Sequence, residues 1–290
     1  MLSQRTLLAL TAVMAVAAFI AAASLSITAR AASRDMSCAR DVLPENIPDF
    51  NRAEDNALLV RELRHGNPGL REVALTFDDG PHPLYTARIL AILHYYRVPA
   101  TFFMVGVQGA RYPQWVKMVF QEGHEIGNQT YDHFRLVHLP YSEQVYQIEE
   151  FQRLIFKLTG VYPRFLRPPG GQYNAQTIEL MNRNGLALGL WSVNSKDVAD
   201  VDAETMYRSI LRDTENGSII LMHDGSPATL EMLPALIETL TRRGYTFVTM
   251  SQMLAHARPE VLRRPLGETS APPPASPEEP KKGHWKIISY

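Results

Sequence analysis

Apolar and polar positions follow a regular order along most of this 290-residue chain. From position 70 onward, short apolar runs rich in β-branched and aromatic residues end in polar turns, and longer segments with apolar residues three or four positions apart follow them. Runs of the first kind predict strands, and segments of the second kind predict amphipathic helices. Strands are predicted over 73–77, 100–105, 125–129, 165–167, 186–193, 218–222 and 246–248.

The predicted helices lie between these strands. The clearest begins at Ser142, a favourable N-terminal residue, and carries a single apolar stripe through Ile148 and Phe151. Strands that alternate with helices imply parallel strands joined by right-handed crossovers, and about seven such units favour a (β/α) barrel over an open sheet. Helices are predicted over 85–96, 112–122, 142–159, 175–184, 203–213, 229–243 and 251–256.

Three segments outside residues 70–257 lack this alternation. Residues 7–27 carry no charge and precede a small-residue cleavage pattern, so residues 1–31 are predicted to be an export signal. The run could instead remain as a membrane anchor, although its many alanines would make a weak span. Residues 32–69 form a polar lead-in with one short helix predicted over 55–65, and the Pro-rich residues 258–290 are predicted to be a disordered tail.

Export sets the expected location of the chain, which is the periplasm, the cell envelope or the medium. A formal net charge of -1 provides no electrostatic basis for binding nucleic acid. The single cysteine, Cys38, excludes an intrachain disulfide and a cysteine-based metal cluster, and we predict no role for it. The remaining composition is that of an ordinary globular domain.

Two adjacent carboxylates end the first predicted strand. The apolar run 73–77 stops at Asp78 and Asp79, and Gly80 and Pro81 cannot continue a strand. Neighbouring side chains on a strand point to opposite faces, so the two acids can have different partners only if the chain twists at this point. Taken alone, an Asp-Asp-Gly sequence is more often a solvated turn.

Four further polar groups follow later apolar runs in the same way. In a barrel of parallel strands the carboxyl ends of the strands lie at one face, where the active sites of such barrels are found. Taken singly, His223 would more often be a core histidine and Arg167 a surface arginine. Their occurrence in one order at strand ends favours an active site. The four groups are Gln129-Thr130-Tyr131-Asp132-His133, Arg167-Pro168-Pro169-Gly170-Gly171, Trp191-Ser192-Val193-Asn194-Ser195-Lys196-Asp197 and His223-Asp224.

Together these segments resemble the five motifs of the polysaccharide deacetylase family, also called the NodB-homology domain or carbohydrate esterase family 4. The resemblance covers residues 70–257, and residues 76–81 are its most specific part. It implies an α/β fold in the form of a distorted, incomplete (β/α)7 barrel. It also implies a metal-dependent hydrolase that removes N-acetyl groups from the amino sugars of an extracytoplasmic polysaccharide, such as peptidoglycan, a chitin-like polymer or an exopolysaccharide.

The resemblance implies roles for individual residues. Asp78 would be the general base, Arg167 its ion-pair partner and His223 the general acid. Asp79 and His133 would bind the metal, which would be zinc, with cobalt or nickel as alternatives. Contacts with the substrate or the oxyanion would come from Tyr131, Trp191 and the backbone N–H near Gly170.

One departure from the family pattern concerns the metal. Gln129 stands where the family has a metal-binding histidine, and an amide oxygen is a poorer ligand for zinc than a neutral imidazole. The metal affinity is therefore expected to be weakened. Asp132 and His138 are alternative third ligands, whereas His124 lies at the start of its predicted strand and is expected to be structural.

A second departure concerns the acid. Asn194 stands where the family has an aspartate that tunes the general-acid histidine, and an amide cannot stabilise the charged imidazolium. The pKa of His223 is therefore expected to be lower than in a complete site. Asp197, the other tuning residue of this motif, is present.

Two functions remain open at this point. The first is a deacetylase that works with an incomplete metal triad. The second is a catalytically impaired carbohydrate-binding protein on the same fold, which Gln129 and Asn194 favour. A metal-free glycosidase that pairs Asp78 with Asp197 or Asp224 is a third and more remote alternative. All three have a polysaccharide as the partner.

Overall fold

The structure is a computed structural model that describes residues 59–199, 201–257 and 263–265. The predicted export segment, most of the lead-in and nearly all of the Pro-rich tail lie outside the described residues. Within these residues, no helix combines the length and the apolar character needed to cross a bilayer.

A curled sheet forms the centre of the fold. Its hydrogen-bonded order is β10-β1-β6-β5-β4-β3-β2-β8-β7, with β9 paired to the start of β2. All neighbours are parallel except β10, which runs antiparallel to β1. The strands are β1 (Leu59–Leu63), β2 (Glu72–Gly80), β3 (Thr101–Met104), β4 (Glu125–Asn128), β5 (Phe165–Leu166), β6 (Ala187–Gly189), β7 (Val193–Asn194), β8 (Ser218–His223), β9 (Thr246–Phe247) and β10 (Arg263–Pro265).

Helices connect these strands and cover the sheet. This arrangement is the distorted, incomplete (β/α) barrel that the sequence predicts. Short 3₁₀ turns occur at Leu136–His138 and Pro169–Gly171. The helices are α1 (Tyr85–Tyr96), α2 (Gly106–Arg111), α3 (Pro113–Gln121), α4 (Tyr141–Thr159), α5 (Ala175–Arg183), α6 (Ala203–Asp213), α7 (Pro227–Arg242) and α8 (Met250–His256).

The predicted helix over 55–65 is wrong. Leu59–Leu63 is strand β1, which pairs with β6 on one side and with β10 on the other. The predicted disordered tail is also wrong at Arg263–Pro265, which forms β10. Both errors have one physical cause, because pairing between segments far apart in sequence overrides local propensity.

The sequence pattern also misses helix α2. Its six residues include Gly106 and Gly109, which weaken the intrinsic helix propensity of the segment. The predicted strand over 186–193 is divided in the structure into β6 and β7, with the chain turning between them. The other predicted strands and helices agree with the observed elements to within a few residues at their ends.

The strands are buried on both faces, as expected for a parallel sheet covered by helices. Consecutive residues of β3 pack in different hydrophobic clusters. Phe102 lies with Phe77 in the cluster between the sheet and the outer helices, whereas Phe103 lies with Leu166 in the cluster on the other face. The near-continuous apolar runs of the sequence therefore reflect a core on both faces of the sheet. This packing holds in place the strand ends that carry the site.

Replacing Gly127 by alanine should destabilise the fold. A Cβ atom at this position of β4 would lie 2.4 Å from a ring carbon of Phe103, a side chain that is fully buried. Overpacking of this kind costs about 1–3 kcal/mol. The free energy of unfolding, measured by denaturant titration, should fall by that amount.

Gly109→Ala is the matched control. Its Cβ would meet Leu154 at an ordinary 3.4 Å, and alanine favours a helix over glycine by about 1 kcal/mol. Unfolding free energies that are equal in the two variants would contradict the packing described here.

Candidate active site

The register of the sheet brings the predicted base and acid together. Asp78 on β2 is the direct partner of His223 on β8, so the two residues lie side by side on neighbouring strands. Residues paired in this way project to the same face of the sheet. Asn128, at the end of β4, pairs with Leu166 at the end of β5, which places the segments that follow both strands at the same edge.

Both carboxylate oxygens of Asp78 accept hydrogen bonds. Oδ1 accepts one from Arg167 Nη1 at 2.6 Å, and Oδ2 accepts one from Gln129 Nε2 at 2.9 Å. Burial disfavours the charged carboxylate and outweighs the opposing effect of the Arg167 charge, so the pKa of Asp78 is raised to about 6. Asp78 is therefore ionised at neutral pH, with a pKa in the range that suits a general base.

Arg167 is fully buried and held from every side. Nε donates to the Gly189 carbonyl at 2.9 Å, Nη1 also donates to Thr76 Oγ1 at 2.9 Å, and Nη2 donates to the Leu190 carbonyl at 3.1 Å. The guanidinium carbon lies 3.9 Å from the centre of the Phe103 ring. A buried charge held by this many partners has one position, so the ion pair fixes the orientation of the base.

Asp79 turns away from its neighbour. The pairing of β2 with β3 shifts register between Asp78 and Gly80, and Asp79 adopts a left-handed φ of 70°. The twist that the sequence requires for the two acids is therefore present. The Asp79 side chain is 36% exposed, and its Oδ1 lies 3.1 Å from His133 Nε2. Although burial opposes the charge, the charge of His133 and the hydrogen bond to it lower the pKa of Asp79 to about 2.

His133 lies on a constrained loop after β4. Thr130 and His133 have φ values of 68° and 61°, a left-handed conformation that is uncommon for residues other than glycine and most unusual for a β-branched threonine. The Thr130 N–H donates to Asn128 Oδ1 at 2.7 Å, and its carbonyl accepts from the Gly106 N–H at 3.0 Å. Backbone conformations of this kind cluster at functional sites.

Asp79 and His133 fit a divalent cation as two protein ligands, because a carboxylate and an imidazole face each other. Gln129 Oε1 is directed at the backbone of Asp79, where it accepts a hydrogen bond from the Asp79 N–H at 2.7 Å. The alternative ligands Asp132 and His138 do not join Asp79 and His133. In the part of the chain that the structure describes, no three His, Cys, Asp or Glu side chains are grouped to hold a metal.

The imidazole of His223 is paired with Asp197. His223 Nδ1 lies 2.7 Å from Asp197 Oδ1, and the His223 N–H donates to Asp197 Oδ2 at 2.7 Å. Thr229 Oγ1 and Ser195 Oγ also donate to this buried carboxylate. Burial of His223 favours the neutral ring, but the hydrogen bond and charge of Asp197 outweigh it and raise the pKa of His223 to about 9. The imidazole is therefore protonated at neutral pH.

The Asn194 side chain supports the turn that leads to Asp197, and a pKa of His223 lower than in a complete site stays a prediction. The Asn194 side-chain oxygen accepts a hydrogen bond from the Lys196 N–H at 2.8 Å. Lys196 has a φ of 60°, and the resulting turn brings Asp197 under the imidazole. The aspartate that tunes His223 is thus present three positions later.

The predicted substrate contacts lie around these groups. Trp191 is buried, with its ring centre 5.6 Å from the Arg167 guanidinium carbon. Tyr131 packs edge-on against Tyr146 at 5.5 Å between ring centres, and Gly170 has a left-handed φ of 68° in the turn after β5. No described contact tests their role toward a substrate, which stays a prediction.

Sequence reasoning missed the hydroxyl groups that support the site. Thr76 links Arg167 to β8, because its hydroxyl also donates to the Ile220 carbonyl at 2.8 Å. Thr86 Oγ1 donates to Asp224 Oδ2 at 2.5 Å and accepts from the backbone N–H of His82, which fastens the turn after β2. Thr76 stands inside the most specific motif, whereas Thr86 and Thr229 carry no comparable sequence signal.

His124 is distant from these groups, as the sequence predicts. Its Nδ1 accepts a hydrogen bond from the Ala100 N–H at 3.2 Å before strand β3 begins. Burial lowers the pKa of His124 to about 4, so its ring is neutral. Its role is structural.

Comparison with known proteins identifies the family of this chain. A family model described as polysaccharide deacetylase matches residues 65–189. A peptidoglycan-N-acetylglucosamine deacetylase from Bacillus cereus is 34% identical over 189 residues, which are 63% of this chain and 88% of that protein. The chain belongs to the polysaccharide deacetylase family.

Other members of the family show how far the likeness extends. A chitooligosaccharide deacetylase from a Bradyrhizobium strain is 33% identical over 200 residues, covering 64% of this chain and 91% of that protein. The peptidoglycan-N-acetylmuramic acid deacetylase PdaC from Bacillus subtilis is 35% identical over 187 residues. The match covers 64% of this chain but only 39% of PdaC.

Solved structures of the family include a deacetylase and a pseudoenzyme. A peptidoglycan N-acetylglucosamine deacetylase structure superposes with a TM-score of 0.65 at 33% identity, covering 67% of this chain and 94% of that one. A Bacillus anthracis protein described as a pseudoenzyme of carbohydrate esterase family 4 superposes with a TM-score of 0.64 at 27% identity, covering 67% and 69%.

Replacing Asp197 by asparagine should lower the pKa of His223. The carboxylate stabilises the imidazolium, so its loss leaves burial as the main influence, and burial favours the neutral ring. In the metal-free protein, NMR titration of the His223 ring should give a value of about 9 for the wild type and a markedly lower one for the variant. Asp213→Asn, which changes an exposed aspartate on α6, is the control and should leave the titration unchanged. An unchanged titration in Asp197→Asn would contradict the pairing.

Proposed function

We propose that this protein is a polysaccharide deacetylase, a hydrolase that removes N-acetyl groups from the amino sugars of an extracytoplasmic polysaccharide. The observation that carries the proposal is the pair Asp78 and His223, adjacent on β2 and β8, with opposite protonation states at neutral pH. Amide hydrolysis needs both an ionised base and a protonated acid. Environments that push two neighbouring pKa values apart are typical of such assignments.

The residues act in order on a water molecule and the acetamido group. Asp78 takes a proton from the water, whose oxygen forms a bond to the acetyl carbonyl carbon. His223 then donates its proton to the amide nitrogen as the carbon–nitrogen bond breaks, which leaves a free amine and acetic acid. The acid ionises to acetate, and proton exchange with solvent returns Asp78 to its ionised form and His223 to its protonated form. Arg167 keeps the base in position, and Asp197 holds the imidazole and stabilises its charged form.

A divalent cation completes this proposal, held by Asp79 and His133. We propose zinc, because imidazole and carboxylate ligands suit it, with cobalt or nickel as substitutes. When bound, the ion would polarise the acetyl carbonyl and stabilise the developing negative charge. With two protein ligands in place of the three that catalytic zinc sites usually have, its affinity would be weakened.

The relatives support a proposal for the substrate class. They are named as deacetylases of peptidoglycan and of chitooligosaccharides, both of which contain N-acetylated amino sugars. We propose a polymer of this kind outside the cytoplasm, which agrees with the uncharged segment 7–27 near the amino terminus. That segment would serve as a cleaved signal or as an anchor.

A second candidate is a carbohydrate-binding protein on the same fold. The incomplete ligand set favours it, and the pseudoenzyme from Bacillus anthracis is a structural precedent. The intact pairs Asp78–Arg167 and His223–Asp197 favour the enzyme, because a binding protein needs neither. A glycosidase has less support, since the Asp197 carboxylate is already engaged by His223, Ser195 and Thr229.

Acetate release from N-acetylglucosamine oligomers tests the proposal. The full chain should release acetate when zinc or cobalt is added and stop when a chelator removes the ion. Asp78→Asn should lower kcat at least about a hundredfold, since a positioned base contributes about 10²–10⁴. The variant should still bind the ion, which calorimetry would measure. Binding of the oligomer without acetate release under any metal condition would favour the carbohydrate-binding alternative.

A further inference from the structure

We propose that Gln129 is a positioning residue that ties the base Asp78 to the backbone of Asp79, and that it is not a ligand of the metal. The inference deepens the proposed function and rests on it for the identity of the base. It concerns one of the two positions at which this chain departs from the family pattern. Under this proposal, Gln129 has a function of its own and is more than a replacement for a lost metal-binding histidine.

The side-chain amide of Gln129 bridges the two acids through both of its ends. Nε2 donates to Asp78 Oδ2 at 2.9 Å, and Oε1 accepts from the Asp79 N–H at 2.7 Å. The reverse orientation would set an NH₂ group against the Asp79 N–H and an oxygen against the Asp78 carboxylate. Both contacts would be repulsive, so the network assigns the orientation of the amide.

The surroundings of Gln129 leave its amide little freedom. The residue is 3% exposed, and its backbone N–H donates to the Met104 carbonyl at 3.0 Å. The preceding Asn128 is anchored to helix α4, because its Nδ2 donates to the Ile148 carbonyl at 3.0 Å. The following Thr130 is held in its left-handed conformation by Asn128 Oδ1. The side chain therefore leaves a backbone that is fixed on both sides.

Binding a cation through Oε1 would break this bridge. The Asp79 N–H would lose its acceptor, and rotation of the amide would remove the donor from Asp78 Oδ2. A buried polar group left without a partner is costly, so the bridge favours a cation held by Asp79 and His133 alone. With Gln129 and Arg167 each bonded to a different oxygen, the Asp78 carboxylate cannot rotate.

The test compares Gln129→Met with the wild type. Methionine keeps the length of the side chain and can form neither hydrogen bond. The matched control is Gln144→Met. Gln144 is also a buried glutamine, but it lies on helix α4 and is bonded to the Leu139 carbonyl and to Thr177. His133→Ala is the reference for the loss of a metal ligand. Three quantities are measured on the full chain: the zinc Kd by calorimetry, the hydrogen exchange of the Asp79 amide by NMR, and kcat and KM for acetate release.

In Gln129→Met, the Asp79 amide should exchange faster than in the wild type, and the zinc Kd should change by less than about threefold. In His133→Ala the Kd should rise at least about tenfold. The kcat of Gln129→Met should fall about tenfold or more with KM unchanged, because the base is no longer held in place. Gln144→Met should match the wild type in all three.

Two results would overturn the proposal. One is a zinc Kd in Gln129→Met that rises as much as in His133→Ala. The other is an Asp79 amide in the wild type that loses protection when zinc is added, because that would mean Oε1 moves to the ion. If no variant and no metal condition gives acetate release, the deacetylase proposal fails, but the exchange and Kd measurements still decide the role of Gln129.

Discussion

The buried ion pair between Asp78 and Arg167 is the contact on which the site depends. An unpaired charge at either position would be strongly destabilising, so the two side chains must stay together. Arg167 in turn is bonded to the carbonyls of Gly189 and Leu190 and to Thr76, which joins the ends of β2, β5 and β6 into one unit. The position of the base is therefore set by the sheet and not by a flexible loop.

Burial and charge act with different weight on the pKa values of the two neighbouring residues Asp78 and His223. Burial dominates at Asp78 and raises its pKa, whereas the Asp197 carboxylate dominates at His223 and raises the pKa of a group that burial alone would neutralise. Two similar environments thus give an ionised base and a protonated acid. The turn at Asp79 adds a third feature, because its left-handed φ directs the second carboxylate toward His133.

Much of the fold was predictable because the barrel strands are buried on both faces and read as apolar runs ending in polar residues. Strands β1 and β10 were not, since they depend on partners more than a hundred residues away. In the site, the sequence motifs predict that Asp78 and His223 meet, and the register of β2 with β8 places them side by side.

The finer contacts depended on turns that spacing does not reveal. The sequence offers Asn194 and Asp197 as tuning residues, and only the left-handed turn at Lys196 shows that Asp197 is the one paired with His223. The sequence is equally uninformative about the role of Gln129. A glutamine that binds a metal and one that positions the base cannot be told apart until the direction of the side-chain amide is known. Here Oε1 is directed at the Asp79 N–H.

The most direct test of the account is a crystal structure of the full chain with zinc, with anomalous data collected at the zinc edge. The account predicts an anomalous peak within bonding distance of Asp79 and His133, with the Gln129 amide still bridging Asp78 and the Asp79 N–H. A peak coordinated by Gln129 Oε1, or zinc bound away from Asp79 and His133, would contradict it.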